Sequence, residues 1–175
     1  MIIMSDFTIN GIDVSTFQKK IDWNKVKCNF AIMRVGLGKV FDSQFKENWT
    51  NSKGKVNRGA YWYLDYYSYL KLGISPQTWG EIQAEKYWSG VKDDPESIVF
   101  LDIESASSDI AKPIEQVFET VEIISKAFLK KADILSGKFN GIYASLGLLS
   151  RFSSWFKNRP LWVAWYNTYQ TPESV

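Results

Sequence analysis

Short apolar runs alternate with amphipathic stretches along most of the chain. The apolar runs have the length and the β-branched and aromatic content of buried strands. Six strands are predicted, at residues 8–14, 30–36, 58–64, 98–105, 139–144 and 161–166. Helices are predicted between them, near residues 23–27, 44–53 and 146–156, and from Pro76 and Pro113 onward. This alternation predicts a parallel α/β fold, either a β/α barrel or a doubly wound sheet.

Acids and aromatic rings stand at the C-terminal ends of these predicted strands. In both candidate architectures, ligands bind at those ends. The residues concerned are Asp13, Tyr63 with Asp65 just beyond it, Asp102, Glu104, Tyr143, Trp165 and Tyr166. A doubly wound nucleotide site would need a glycine-rich turn after the first strand, and residues 14–18 contain no glycine. The acids and aromatic rings at these strand ends, which we call the rim, therefore favour a cup-shaped site that binds a sugar.

The strongest chemical signal is the pair of acids at the end of the run 98–105. Asp102 and Glu104 are two residues apart, so both side chains of an extended strand lie on one face. Paired carboxyl groups carry out glycoside hydrolysis, in which one donates a proton and the other stabilises a developing cation. The alternative is a pair of solvated residues at a strand end, and for an isolated pair it is equally common.

The composition excludes several other classes of protein. The chain has no histidine, which removes Ser-His-Asp triads, Cys-His nucleophiles and histidine-based zinc sites. Its single cysteine, Cys28, has no partner for a disulfide within the chain. The net charge of +2 is spread without basic runs, so nucleic acid is not an expected partner. Aromatic residues make up 16% of the chain, an excess that favours a carbohydrate ligand.

Seven sequence blocks occur in an order that identifies a family resemblance. They are G-I-D-V-S at 11–15, I-D-W at 21–23, F-A-I-M-R-V-G at 30–36, G-A-Y-W-Y at 59–63, L-D-I-E at 101–104, I-Y-A-S at 142–145 and L-W-V-A-W-Y at 161–166. Together they resemble glycoside hydrolase family 25 over residues 8–166. Members of that family are N-acetylmuramidases (lysozymes), which are common among phage endolysins and bacterial autolysins.

The resemblance implies a fold, a reaction and a set of roles. The implied fold is an irregular TIM-like barrel of the (β/α)5(β)3 type, and the implied reaction is cleavage of the β-1,4 bond between N-acetylmuramic acid and N-acetylglucosamine. Glu104 matches the general acid, Asp102 the residue that stabilises or orients the reacting centre, and Asp13 an acid of the same pocket. The resemblance also implies retention of configuration, and no metal or organic cofactor is required.

Aromatic residues of the same blocks are candidates for contact with the glycan strand of peptidoglycan, the expected partner. Tyr63, Tyr143 and Tyr166 match positions where family members place substrate-contacting groups, and core packing is an equally good interpretation of each. Trp165 and Asp65 are added from their places on the predicted rim. Trp62 is expected to point away from that rim.

The sequence also departs from the family pattern. Family members continue past the last matching block into further strands, one of which carries another acid, whereas this chain ends at Val175. Residues 1–175 are therefore expected to form a single catalytic domain that lacks its last C-terminal strands. Six strands do not close an eight-stranded barrel, so the open edge is a place where two chains could associate.

Two other functions stay open at this point. The first is a carbohydrate-binding module that keeps the cup-shaped site but has little or no catalytic activity. The second is a hydrolase that uses the acid pair as magnesium ligands, although the chain lacks histidine and phosphate-binding glycines. Residues 1–6 lack the apolar stretch of a signal peptide, and no run of about 18 apolar residues could span a membrane. We expect synthesis in the cytoplasm, no membrane insertion and action on the bacterial cell wall after release or as a phage-encoded protein.

Overall fold

The computed structural model describes residues 9–94, 98–105 and 113–164. Its strands are β1 (Gly11–Val14), β2 (Phe30–Leu37), β3 (Val40–Phe41), β4 (Asn57–Tyr63), β5 (Ile98–Asp102), β6 (Gly141–Ser145) and β7 (Leu161–Ala164). Its α-helices are α1 (Phe45–Asn51), α2 (Ser68–Leu72), α3 (Pro76–Val91), α4 (Phe118–Ser136) and α5 (Leu146–Leu149). Short 3-10 helices occupy Thr16–Gln18, Ile114–Gln116 and Ser154–Phe156.

The strands form one curled, parallel sheet. Its order is β1-β2-β4-β5-β6-β7, and all of these neighbours are parallel, while β3 pairs antiparallel with β2. Within the described residues, β1 and β7 each have one neighbour, so the sheet is a half-barrel with two open edges. This confirms the predicted fold class, an incomplete TIM-like α/β barrel.

The helix predicted near residues 23–27 is wrong. Residues 23–25 form a turn, because the Asp22 side chain accepts a hydrogen bond from the Asn24 amide and the Asp22 carbonyl accepts one from the Lys25 amide. Aspartate that binds the backbone two residues on favours a turn over a helix. Trp23, the first residue of that predicted helix, is buried, and its Nε1 donates to Asn48 Oδ1 at 3.2 Å.

Three further elements differ from the sequence prediction. The β2–β3 hairpin was not predicted, and it turns through Gly38, which adopts a left-handed φ of +59°. The helix predicted from Pro113 begins with a 3-10 turn, and α4 proper starts at Phe118. The helix predicted near 146–156 is two short pieces, α5 and the 3-10 helix Ser154–Phe156.

The hydrophobic core lies between the convex face of the sheet and the helices α3 and α4. Val121, Ile124 and Phe128 of α4 are completely buried, as expected from their helical spacing. Trp62 of β4 also points into this layer, where its Nε1 donates to Gln83 Oε1 at 3.2 Å. Every other residue of the strands therefore remains available to the concave face. No helix in the described ranges is long and apolar enough to cross a membrane.

Gly80 of α3 packs closely against α4, and this contact gives a prediction on stability. A Cβ atom added at Gly80 would lie 2.4 Å from the Ile124 carbonyl oxygen and 2.8 Å from the Ala127 Cβ. Gly80→Ala should therefore lower the free energy of unfolding by about 1–3 kcal/mol, the usual cost of overpacking. Gly147→Ala is the control, because nothing lies within 4 Å of a Cβ there. Thermal melts that coincide for both variants would contradict this account of the helix contact.

Candidate active site

A cavity of about 310 Å³ opens at the carboxyl ends of the parallel strands, on the concave face of the sheet. We call it the acid cavity. Its lining residues are Asp13, Ser15, Phe17, Gln18, Arg34, Tyr61, Tyr63, Asp102, Glu104, Tyr143 and Trp162. The strand register explains why distant residues meet here, because Tyr63 pairs with Asp102, Asp102 with Tyr143, and Tyr143 with Trp162. Residues at one level of a parallel sheet share a face.

Asp102 is the most deeply placed acid of the cavity. It is 6% exposed, and its Oδ1 is buried with no hydrogen-bond partner among the described residues. The pKa of Asp102 is raised to about 8, first by burial and then by the charges of Glu104 and Asp13, while the charge of Arg34 opposes them. The carboxyl group is therefore mainly protonated at neutral pH when the cavity holds no ligand.

Arg34 only weakly offsets this cluster of acids, because its charge is already matched by another carboxylate. Its Nε and Nη2 both lie 2.8 Å from Asp42 Oδ2, and the Asp42 side chain is completely buried. Asp42 also accepts hydrogen bonds from the backbone amides of Thr16 and Gln44, each at 2.9 Å. Asp42 thus joins the loop after β1, strand β2 and the start of α1 around the cavity. Among the described residues that line it, Arg34 is the one cation.

Glu104 lies between the acid cavity and a neighbouring one. The second cavity has a volume of about 460 Å³ and is lined by Ile103, Glu104, Ser105, Ile114, Tyr143, Ser145, Gly147, Leu148, Arg151 and Ala164. Glu104 and Tyr143 line both cavities, whereas Asp102 lines only the acid cavity. The two acids of the pair therefore have different surroundings: Glu104 is half-buried at the boundary of the two cavities, and Asp102 is buried within the acid cavity.

Three aromatic side chains form much of the wall. The Tyr63 hydroxyl donates to the Ser105 carbonyl at 3.2 Å. Burial, and then the charges of Glu104 and Asp102, raise the pKa of Tyr63, so the phenol stays neutral. Tyr143 packs edge-on against Trp162, with ring centroids 4.6 Å apart. The wall thus offers the neutral Tyr63 hydroxyl and apolar ring surface beside the acids.

The structure brings five of the eight predicted site residues into the acid cavity, namely Asp13, Tyr63, Asp102, Glu104 and Tyr143. Asp65 is not among them. Its carboxylate accepts hydrogen bonds from the amides of Tyr67 and Ser68 and from the Ser68 hydroxyl, so it fixes the turn that leads into α2. Trp165 and Tyr166 lie outside the described residues.

Six lining residues were not among the predicted site residues, namely Ser15, Phe17, Gln18, Arg34, Tyr61 and Trp162. Strand alternation could have found two of them, because Tyr61 lies two residues before Tyr63 on β4, and Arg34 is a charge inside the apolar strand β2. Trp162 is found only through its register with Tyr143, which the sequence does not give. In the part of the chain that the structure describes, no group of three or more metal-ligating side chains has the arrangement of a metal site.

A parallel half-barrel with three carboxyl groups among aromatic rings at its carboxyl end is consistent with a glycoside hydrolase. The model of the family described as glycosyl hydrolases family 25 matches residues 12–174, and the chain belongs to that family. An uncharacterised protein, YegX of Escherichia coli K12, is 28% identical over 176 aligned residues. That alignment covers 94% of this chain, which spans 58% of the length of YegX.

Solved structures share the fold. A bacterial lysozyme from Streptomyces coelicolor superposes with a TM-score of 0.73 at 21% identity, covering 94% of this chain and 77% of the lysozyme. The modular autolysin LytC of Streptococcus pneumoniae, in complex with a synthetic peptidoglycan ligand, gives a TM-score of 0.65 at 19% identity. That match covers 80% of this chain and 33% of LytC. At these identities the likeness establishes the architecture of the half-barrel.

Proposed function

We propose that this chain is a muramidase that cleaves the β-1,4 bond between N-acetylmuramic acid and N-acetylglucosamine in peptidoglycan. The observation that carries the proposal is the meeting of Asp13, Asp102 and Glu104 in one aromatic-lined cavity. Family membership supports the reaction class, and the lysozyme and the peptidoglycan-bound autolysin that share the fold support the substrate.

In this proposal, Glu104 is the general acid. The oxygen that leaves during glycoside hydrolysis lies between two sugars, so its proton donor must reach the junction of two sugar-binding spaces. Glu104 has that position, because it lines both the acid cavity and the second cavity. Tyr143 shares the boundary and contributes a wall to each side.

Asp102 acts on the sugar that occupies the acid cavity. A substrate 2-acetamido N–H that donates to the unpartnered Oδ1 would favour the ionised carboxylate and lower the pKa of Asp102. The ionised Asp102 would orient the acetamido group as an internal nucleophile, the route that leads to retention of configuration.

The test uses purified peptidoglycan whose new reducing ends are reduced with borohydride and identified after acid hydrolysis. We expect the chain to release reducing ends that yield muramitol, and the rate to be the same with and without a chelator. Glucosaminitol instead of muramitol would contradict the bond assignment. Binding to the wall without any release of reducing ends would favour the carbohydrate-binding module, and loss of activity with the chelator would favour a metal-dependent hydrolase.

A further inference from the structure

A third cavity adjoins the acid cavity on the side of the β2–β3 hairpin. It has a volume of about 510 Å³, and we call it the hairpin cavity. Its lining residues are Thr16, Phe17, Arg34, Gly36, Leu37, Val40, Phe41, Asp42, Ser43, Tyr63 and Tyr67. Phe17, Arg34 and Tyr63 line both this cavity and the acid cavity. A chain-like ligand can therefore pass from one to the other along a common wall.

Phe17 differs from the other residues of that wall because it is 78% exposed to solvent. Its backbone is nevertheless held in place. The Ser15 hydroxyl accepts from the Phe17 amide at 3.3 Å, and the Gln18 side chain accepts from the Ser15 amide at 2.8 Å. The preceding Thr16 amide is bound to Asp42. The ordered backbone holds this large apolar ring in contact with water, which is unfavourable in free energy. A ligand that covers the ring would remove this apolar surface from water and so gain binding free energy.

The orientation of the ring is also restrained. The Arg34 guanidinium carbon lies 5.3 Å from the centroid of the Phe17 ring, within the range of a cation–π contact. Arg34 is itself held by two contacts to the buried Asp42. The ring is thus largely positioned before a ligand arrives, which reduces the entropy lost on binding.

We infer that Phe17 stacks on a sugar of the glycan strand, and that the hairpin cavity is a subsite for the sugar next to the one held over Asp102. This inference rests on the proposed muramidase function. The lining includes exposed apolar side chains, Leu37, Val40 and Phe41, which suit the C–H faces of a sugar ring. Phe17 adds the aromatic platform that such a face prefers.

The charges of the hairpin cavity favour a sugar over the peptide stems of the wall. Among the described residues that line it, Arg34 and Asp42 are the charged ones, and they are bonded to each other. A stem peptide carries carboxylate and ammonium groups that would need partners of opposite charge. An uncharged sugar with apolar faces makes no such demand on the site.

The test measures binding of peptide-free glycan strands, short and long, to proteins that carry Glu104→Gln so that the strands stay intact. Adding Phe17→Ala should reduce the gain in affinity from short to long strands roughly 3- to 10-fold, the size of one aromatic contact. Phe17→Trp should keep the gain. Ile134→Ala is the matched control, because Ile134 is equally exposed at 78% but lies on α4 and lines none of the three cavities. It should leave binding unchanged.

Three results would overturn the inference. Equal gains in the parent and the Phe17→Ala protein would show that no sugar contacts this ring. A loss seen with peptide-bearing wall but absent with peptide-free strands would assign the hairpin cavity to stem peptides. If the wild-type chain cleaves wall normally and only the Phe17 effect is missing, the muramidase proposal survives, whereas a chain that neither binds nor cleaves peptidoglycan removes both.

Discussion

Glu104→Gln should lower the rate of peptidoglycan cleavage by at least roughly 10²–10⁴-fold, the contribution typical of general acid catalysis. The amide keeps the shape of the side chain at the boundary of the two cavities but has no proton to give to the leaving oxygen. Binding of glycan strands should persist, because the aromatic walls are unchanged. The measurement is the release of reducing ends beside a binding assay on the same protein.

Glu119→Gln provides the matched control for this loss. Glu119 is exposed in the first turn of α4 and lines none of the three cavities, so its amide should cleave wall at the wild-type rate. Wild-type turnover in Glu104→Gln would show that another residue donates the proton. Loss of both binding and cleavage, with a lowered melting temperature, would mean that Glu104 acts on the fold rather than on the reaction.

Asp102→Asn should have opposite effects on activity and on stability. Activity should fall by roughly 10²-fold or more, because the amide cannot ionise to stabilise the reacting centre. Stability should rise at neutral and higher pH, because the amide removes a carboxyl group that the fold holds in an unfavourable place. Asp102 is buried among Asp13 and Glu104, and its Oδ1 lacks a hydrogen bond within the described part of the chain.

The pH dependence of that gain follows from the raised pKa of Asp102. The folded value is about 8, whereas an unfolded aspartate has a pKa of about 3.9. Below pH 4 both states hold the proton and Asp102 costs nothing. Between pH 4 and 8 the unfolded chain releases a proton that the folded chain keeps, so the wild-type free energy of unfolding falls as the pH rises. The Asp102→Asn variant has no proton to release at this position, so its free energy of unfolding should not show this fall. The difference in the free energy of unfolding between the two proteins should therefore grow from pH 4 to pH 8.

Melting curves of wild type and Asp102→Asn at pH 4 and at pH 8 test the sign directly. The variant should gain roughly 1–4 kcal/mol over the wild type between these conditions, since one pKa unit corresponds to about 1.4 kcal/mol. Asp13→Asn serves as a comparison, because it removes a charge from the same cavity and leaves the Asp102 carboxyl in place. A difference that does not change with pH would show that Asp102 is ionised in the folded protein.

The sequence predicted the elements whose signals are local. Alternation along the run 98–105 placed Asp102 and Glu104 on one face, and the same rule placed Trp62 on the opposite face from Tyr63. The structure agrees on both points. Helical spacing likewise predicted the buried stripe of α4. These signals are properties of a single strand or helix, so one segment contains all the information needed.

The sequence was less informative where a side chain interacts with neighbours that the local pattern does not show. Asp65 follows a strand that ends at the rim, but its carboxylate accepts hydrogen bonds from the amides of Tyr67 and Ser68, where α2 begins. Residues 23–27 were predicted as a helix, yet the Asp22 side chain accepts a hydrogen bond from the Asn24 amide, and this bond favours a turn. Trp162 enters the cavity through its register with Tyr143, which depends on two strands that pair across the sheet.

Asp42 anchors the proposed sugar-binding wall from below, and exposed side chains form the surface of that wall. The residues that hold the wall together are Asp42, Arg34 and the Thr16 amide, while those that a ligand would touch are Phe17, Leu37 and Val40. Arg34 and Asp42 also line the hairpin cavity, but their side chains are 17% and 0% exposed, whereas Leu37 and Val40 are 38% and 69% exposed. Exposed positions of the hairpin can therefore be exchanged for other side chains without loosening the ionic anchor beneath them. For protein engineering, this makes the β2–β3 hairpin the place to retune glycan preference while leaving the acids of the neighbouring cavity in position.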